Sequence, residues 1–142
     1  MNSSLSWWVY ALLSAVFAAL TTIFAKIGVE SINSNLATAI RTVVILLVAW
    51  SIVLAQGQFN HLSNISMKTL LFLVLSGVAT GLSWIFYFKA LQVGKASFVA
   101  PIDKLSLVLV MLFSAVFLNE PFTLRSFLGT LLITIGTLIF VL

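Results

Sequence analysis

Residues 98–118 read FVAPIDKLSLVLVMLFSAVFL, a run of 21 residues in which Asp103 and Lys104 are the only charged side chains. At about 1.5 Å per residue, a helix of this length spans about 30 Å, which is the thickness of the hydrocarbon core of a bilayer. The stretch therefore predicts a membrane-spanning helix that carries an acid and a base near one end.

Four further apolar runs have the same character. Together with 98–118 they place spans at about 5–26, 36–55, 69–91 and 125–142. Hydrophobic residues make up 62% of the 142 residues and charged residues 7%, whereas a soluble domain is about half apolar and about a quarter charged. We predict an all-α fold, a polytopic membrane protein whose single domain, 1–142, is a bundle of five transmembrane helices.

The composition argues against several classes of function. There is no cysteine, and the one histidine, His61, lies in the longest loop, where a solvated side chain is a better interpretation than a metal ligand. The three acidic residues lie far apart in sequence, so nothing indicates an enzyme. We expect no metal, no cofactor and no catalytic residue. The net charge of +4 comes from scattered Lys and Arg, which suits membrane lipid rather than nucleic acid.

The basic residues at the span ends give a weak orientation signal. Three of them, Lys26, Lys89 and Lys95, lie on the side opposite the N-terminus, and two, Lys68 and Arg125, lie on the N-terminal side. Cytoplasmic span ends carry the excess of Lys and Arg, so a fixed molecule would place the first side in the cytoplasm.

Small and polar residues form stripes along several spans. Gly77 and Gly81 make a GxxxG pair in the third span, and Gly129 and Gly136 belong to a similar band in the fifth. Such glycines favour close helix packing. The hydroxyl and aromatic side chains of the third span, Ser83, Trp84 and Tyr87, favour a second interpretation, a stripe that faces a central cavity.

The charged residues within the spans raise a separate question of pairing. Intramembrane charges are costly and usually face a bundle interior, where they pair. On a continuous helix Lys104 points about 100° away from Asp103, so we expect the partner of Asp103 to be Arg41 of the second span, with Pro101 loosening the helix start. Two interpretations stay open: a structural ion network that includes Lys104, or a substrate or proton path.

The C-terminal half resembles a known family. The segment SFVAPIDKLSLVLVMLFSAVFLNEPFTLRSFLGTLLITIGTLIFVL (97–142) has an early proline, an apolar run ending in Leu-Asn-Glu, a basic residue and spaced glycines, and YFKALQVGKASFVAP (87–101) leads into it. This pattern is similar to that of the EamA-type branch of the drug/metabolite transporter superfamily. Glu120 matches the family's loop acid, and we expect a structural role for it, close enough to Arg125 to pair.

The resemblance implies a function. Members commonly hold substrate between two five-span repeats of opposite topology, and this chain resembles one repeat, which implies an antiparallel homodimer. We expect a multi-pass carrier of a small organic molecule in the bacterial inner membrane. Its candidate substrate-binding residues are Trp84, Tyr87, Ser83, Ser106, Asp103, Lys104 and Arg41. The alternative is a non-transporting accessory subunit or a partner in lipid or glycolipid flipping.

Overall fold

A computed structural model describes residues 6–59, 62 and 65–140 of the chain. It contains six helices and, over those residues, no strand: α1 Trp7–Gly28, α2 Ser34–Ala55, α3 Met67–Val93, α4 Ala96–Asp103, α5 Ser106–Phe117 and α6 Leu124–Ile139. The prediction for His61 falls outside the described residues.

The helices confirm the all-α membrane fold. Over the described residues, four stretches are long and apolar enough to cross a bilayer: α1, α2, α3, and Ala96–Phe117, which comprises α4 and α5. Helix α6 is apolar but shorter, with 16 residues. The chain is thus a multi-pass membrane protein with five apolar helical stretches.

The fourth stretch is interrupted between α4 and α5. The backbone N–H groups of Lys104, Leu105 and Leu107 each donate to the carbonyl three residues earlier, at 2.9–3.0 Å, in place of the α-helical partner four residues earlier. The ψ angle of Lys104 is −9°, against about −42° in an α-helix. The helix is therefore broken after Lys104, and the chain beyond it starts a new helix, α5.

Side-chain and backbone caps fix where the helices begin and end. Asn33 accepts a hydrogen bond from the Asn35 N–H at 2.9 Å, and Thr123 accepts one from the Ser126 N–H at 3.2 Å. These bonds satisfy donors that the first turns of α2 and α6 leave free. At the other end of α5, Asn119 has φ +54° and the Glu120 N–H returns to the Ser114 carbonyl at 3.2 Å. This is a left-handed C-terminal cap, and Pro121 follows it.

The chain divides into two compact units, a central unit, Phe24–Gln92, and a terminal unit, Met1–Ile23 with Val93–Leu142. In the terminal unit α6 packs against α4 and α5, and the Thr130 hydroxyl donates to the Met111 sulfur at 3.3 Å. Thr137 of α6 is buried there.

The central unit holds the other buried residues, which come from the end of α1, the start of α2 and the end of α3. They are Ala25, Val29, Ser34, Ala37, Thr38, Phe88 and Leu91. On α2 the buried positions are spaced by three and four residues, so they form one face. The buried residues of α2 (Ser34, Ala37 and Thr38) are small, so a neighbouring backbone can approach this face closely.

Two side chains fasten the α1–α2 turn to the end of α3. The Lys26 ammonium donates to the Leu91 carbonyl at 2.8 Å. The Gln92 amide nitrogen donates to the Val29 carbonyl at 3.2 Å and to the Ile32 carbonyl at 2.9 Å. Turn carbonyls at the edge of a membrane need such donors, because the adjoining hydrocarbon supplies none. This packed end sets the position of the helices that lead away from it.

Candidate functional site

A cation–aromatic cluster lies in the central unit, next to the buried residues at the start of α2 and the end of α3. The guanidinium carbon of Arg41 is 4.4 Å from the centroid of the Phe88 ring and 5.2 Å from that of the Trp84 ring. Arg41 and Trp84 are half-buried, and Phe88 is 1% exposed. A guanidinium held over aromatic rings is attracted by their quadrupoles, and more strongly so when water is excluded. We call Arg41, Trp84 and Phe88 the Arg41 cluster.

Helix periodicity explains why these three residues meet. Arg41 follows Thr38 by three residues and Ser34 by seven, so it continues the buried face of α2. Trp84 precedes Phe88 by four residues on α3 and shares its face. The contacts of Gln92 with the turn before α2 bring the start of α2 beside the end of α3, where these two faces meet.

The cluster lies inside the membrane-spanning part of α2. Arg41 is the eighth residue of that helix, about 10 Å from its start. Beyond the cluster, residues 43–50 of α2 and 67–80 of α3 are all exposed. The half-buried guanidinium therefore lies at the boundary between the buried residues of the central unit and the exposed stretches of α2 and α3.

The charge of Arg41 has no carboxylate partner within the central unit. Glu30 is the one acidic residue of that unit, and its side chain is exposed outside the helices. In the other unit, Asp103 is paired with Lys104. A charge at this depth costs a few kcal/mol when nothing compensates it. An anion bound to the guanidinium N–H groups would supply that compensation.

The other third-span candidates flank the cluster differently. Tyr87 is half-buried and lies edge-on to Phe88, with centroids 6.0 Å apart and an interplanar angle of 85°. Ser83 is exposed. The structure therefore brings Arg41 and Trp84 together, with Tyr87 beside them, and leaves Ser83 on the outer surface of α3.

The fourth-span candidates belong to the terminal unit. The Lys104 ammonium lies 3.3 Å from the Asp103 carboxylate, so the prediction that these neighbours do not pair is wrong. Lys has a long, flexible side chain, and both side chains are partly exposed, so the ammonium can reach the carboxylate of the preceding residue across the helix surface. Pro101 lies inside α4, and Ser106 is the exposed first residue of α5. The Arg41–Asp103 pair stays a prediction.

The predicted pairing of Glu120 with Arg125 is also wrong. Over the described chain no ion pair joins them, and both side chains are exposed. The left-handed cap at Asn119 directs the chain out of α5, and Glu120 takes part in it through its backbone N–H. The acid is thus one residue of a helix end, without the expected basic partner.

The four predicted packing glycines face open space. A Cβ atom added at Gly77, Gly81, Gly129 or Gly136 would meet no atom of the neighbouring described chain within 4 Å. The helix-packing role of these glycines stays a prediction.

Two residues of this region were missed by sequence reasoning. Phe88 is the buried ring of the Arg41 cluster. Gln92 donates two hydrogen bonds to the α1–α2 turn, which precedes the helix that carries Arg41. Their spacing from Trp84, four and eight residues, was the available signal, because it places all three on one helix face. The prediction from the sequence rested instead on the polar stripe through Ser83 and Tyr87.

An apolar pocket of about 310 Å³ lies near the other end of α2 in the central unit. Its lining residues are Ala49, Trp50, Val53, Gln58, Leu62 and Ile65. None of these side chains is charged, so the pocket offers shape and apolar surface but no group that could select a charged ligand.

Comparison with known proteins identifies the family. The sequence pattern of the EamA-like transporter family matches residues 5–142. This chain belongs to the EamA-like transporter family. The match confirms the resemblance, and it makes the chain a membrane transporter by family.

Two relatives of this EamA-like chain cover almost its whole length. An uncharacterised transporter in the cobO 3′ region of a Sinorhizobium species is 55% identical over 96% of both chains. An uncharacterised protein of Methanocaldococcus jannaschii is 30% identical over 92% of this chain and 93% of its own length. No solved structure matches. The relatives are therefore about as long as this EamA-like chain.

Proposed function

We propose that this EamA-like protein is a secondary carrier of a small organic metabolite across the bacterial inner membrane. The observation that carries the proposal is the Arg41 cluster, a cation inside a span that is supported by rings and lacks an acidic partner in its unit. Intramembrane ionisable groups usually mark substrate or ion paths. Aromatic rings beside a charged group suit an organic molecule with both apolar and polar parts.

The proposed working form is an antiparallel homodimer. The family resemblance implies a cavity enclosed by two five-span repeats of opposite topology, of which this chain resembles one, and two relatives are about as long as this chain. The glycines of α3 and α6 have room for a second molecule. The numbers of basic residues at the two sets of span ends are nearly balanced, which is compatible with both orientations.

Alternating access follows from such a pair of repeats. In carriers of this type one repeat rocks against the other around a fixed site near the middle of the membrane. The packed end formed by Lys26, Leu91 and Gln92 gives each copy a rigid part, and the exposed stretches of α2 and α3 provide surfaces that can separate and close. The substrate would then contact Trp84 and Tyr87 from the side of the exposed stretches of α2 and α3.

Uptake into proteoliposomes tests the proposal. The purified protein should move at least one compound of a panel of organic acids, amines, amino acids and nucleosides faster than protein-free liposomes do. Trp84→Ala should lower that uptake roughly tenfold, because it removes a ring that holds the Arg41 guanidinium, a contact worth about 1–2 kcal/mol. Trp50→Ala, in the uncharged pocket, is the matched control and should transport like the unchanged protein.

The opposite result is equally clear. If a folded, reconstituted dimer moves no compound of the panel, the carrier proposal fails, and the accessory-subunit function becomes the better explanation. Equal loss of uptake in the Trp84 and Trp50 variants would instead show that the Arg41 cluster is not the substrate site.

A further inference from the structure

We propose that the substrate is an organic oxyanion, a solute that carries a carboxylate or phosphate group on an apolar or aromatic body, and that Arg41 is its counterion. This inference rests on the proposed carrier function and adds the chemical class of the cargo. It assigns Arg41 as the residue that balances the charge of the substrate. The sequence left that role open among Asp103, Lys104 and Arg41.

The contacts of Arg41 leave its donors available. Its guanidinium carbon lies over the Phe88 and Trp84 rings, with Tyr87 as a further electrostatic neighbour, and the structure gives it no hydrogen bond to another described residue. Two ring contacts cannot engage all five N–H donors, which point outward in the guanidinium plane in a fixed fork. A carboxylate or phosphate accepts two such donors in parallel, which is the geometry that favours Arg over Lys.

The neighbouring residues do not compete for that role. In the same unit Glu30 is exposed and outside the spans, and Lys26 and Lys89 are directed at the Leu91 carbonyl and the Gln92 side-chain oxygen. On α2 the Thr38 hydroxyl donates to the Ser34 carbonyl, and the Thr42 hydroxyl donates to the Thr38 carbonyl. The protons of these two hydroxyls are therefore already used within the helix. Arg41 is therefore the cation of this unit that is inside a span and open to a ligand.

The rings add a requirement for the rest of the substrate. Trp84 is half-buried and Tyr87 lies next to the cluster, so an anion bound at Arg41 would place its remaining atoms along these rings. An apolar or planar body would pack there and replace lipid or water contacts. An inorganic anion would use the guanidinium alone and bind more weakly.

Binding in a phosphate-free maltoside detergent tests the inference. Phenylacetate and indole-3-acetate are the carboxylate probes, their primary amides are the neutral controls, and phenethylamine is the cationic control. Titration calorimetry should give binding of the carboxylates that is roughly tenfold or more tighter than that of the amides, because a hydrogen bond to a charged group is lost in the amide. The amine should bind least.

Three variants locate the effect. Arg41→Gln should weaken carboxylate binding roughly tenfold or more and reduce the difference between acid and amide, whereas Arg41→Lys should keep part of that difference, since it retains charge without the planar fork. Lys89→Gln removes a positive charge from the same unit and should bind like the unchanged protein. If Arg41→Gln does not fold, the acid–amide difference in the unchanged protein and in Arg41→Lys still decides the matter.

Other outcomes overturn the inference in distinguishable ways. Transport of amines or neutral solutes that Arg41→Gln leaves unchanged keeps the carrier but rejects the oxyanion. Retention of an anionic phospholipid, seen by native mass spectrometry and lost in Arg41→Gln, without carboxylate binding, assigns the guanidinium to a lipid headgroup and rejects a solute. Absence of transport for every compound in the panel rejects the carrier proposal itself.

Discussion

Phe88 shows how one buried ring supports the charge beside it. The side chain is 1% exposed, lies under the Arg41 guanidinium and meets Tyr87 edge-on. Phe86, two residues earlier on the same helix, is 72% exposed. The two residues have the same chemistry and propensity, so they differ only in what surrounds them.

Replacement of these two rings tests that difference. Phe88→Ala should lower the free energy of unfolding by at least about 1–2 kcal/mol, because it leaves a cavity at the packed end and removes the ring below Arg41. Phe86→Ala should change it by less than about 0.5 kcal/mol. Thermal unfolding in detergent, followed by tryptophan fluorescence, measures both. Equal destabilisation by the two variants would contradict the packing described for α3.

Gln92 makes a prediction of a different kind, because it acts through hydrogen bonds. Gln92→Leu preserves the size of the side chain but leaves the Val29 and Ile32 carbonyls without their donor, at a cost of about 1–3 kcal/mol. Gln92→Glu should cost at least as much near neutral pH, since a carboxylate cannot donate. The same unfolding measurement compares them. A variant as stable as the unchanged protein would show that water satisfies those carbonyls.

At the scale of a single element, the end of α5 depends on Asn119. Its φ of +54° lies in the left-handed region, which asparagine and glycine tolerate and β-branched residues do not. The cap returns the Glu120 N–H to the Ser114 carbonyl and lets Pro121 direct the chain towards α6. The Leu-Asn-Glu-Pro sequence is thus explained by backbone geometry rather than by the charge of the acid.

Substitutions at Asn119 separate these explanations. Asn119→Val should destabilise the protein by about 1–2 kcal/mol, because the left-handed conformation is strained for a β-branched side chain. Asn119→Gly should be neutral or slightly stabilising, and Glu120→Gln should have little effect, since Glu120 contributes its backbone. Folded yield and thermal unfolding of the three variants provide the measurement. If Glu120→Gln proves the most damaging, the carboxylate has a role beyond the cap.

At the scale of the whole molecule, the proposed antiparallel dimer predicts two orientations of one chain. A reporter fused to the C-terminus should be active on both sides of the membrane, with alkaline phosphatase outside and green fluorescent protein inside. Removing the two basic residues of the N-terminal side, with Lys68→Gln and Arg125→Gln, should shift the chain to one orientation, because the remaining span-end charges then favour one side. A reporter active on one side alone in the unchanged protein contradicts the antiparallel arrangement.

The sequence by itself determined the class of this protein. Apolar runs about as long as a bilayer is thick, with a 7% charged composition, leave helices in lipid as the arrangement that satisfies every backbone group. The family resemblance rested on the same local features, the early proline, the Leu-Asn-Glu turn and the spaced glycines. Arg41 and Trp84 were both recognisable as candidates, because a charge or a polar ring within a span is unusual.

The tertiary structure alone decided which of those residues meet. Arg41 lies on Phe88 and Trp84, far along the chain, and Asp103 turns to its neighbour Lys104 where the helix breaks. Hydropathy could not show this, because apolar side chains gain little by leaving lipid for protein, and the packed and lipid-facing sides of α3 therefore have similar compositions. Which face packs is set by shape and by donors such as Gln92, and these act only once α1, α2 and α3 are brought together.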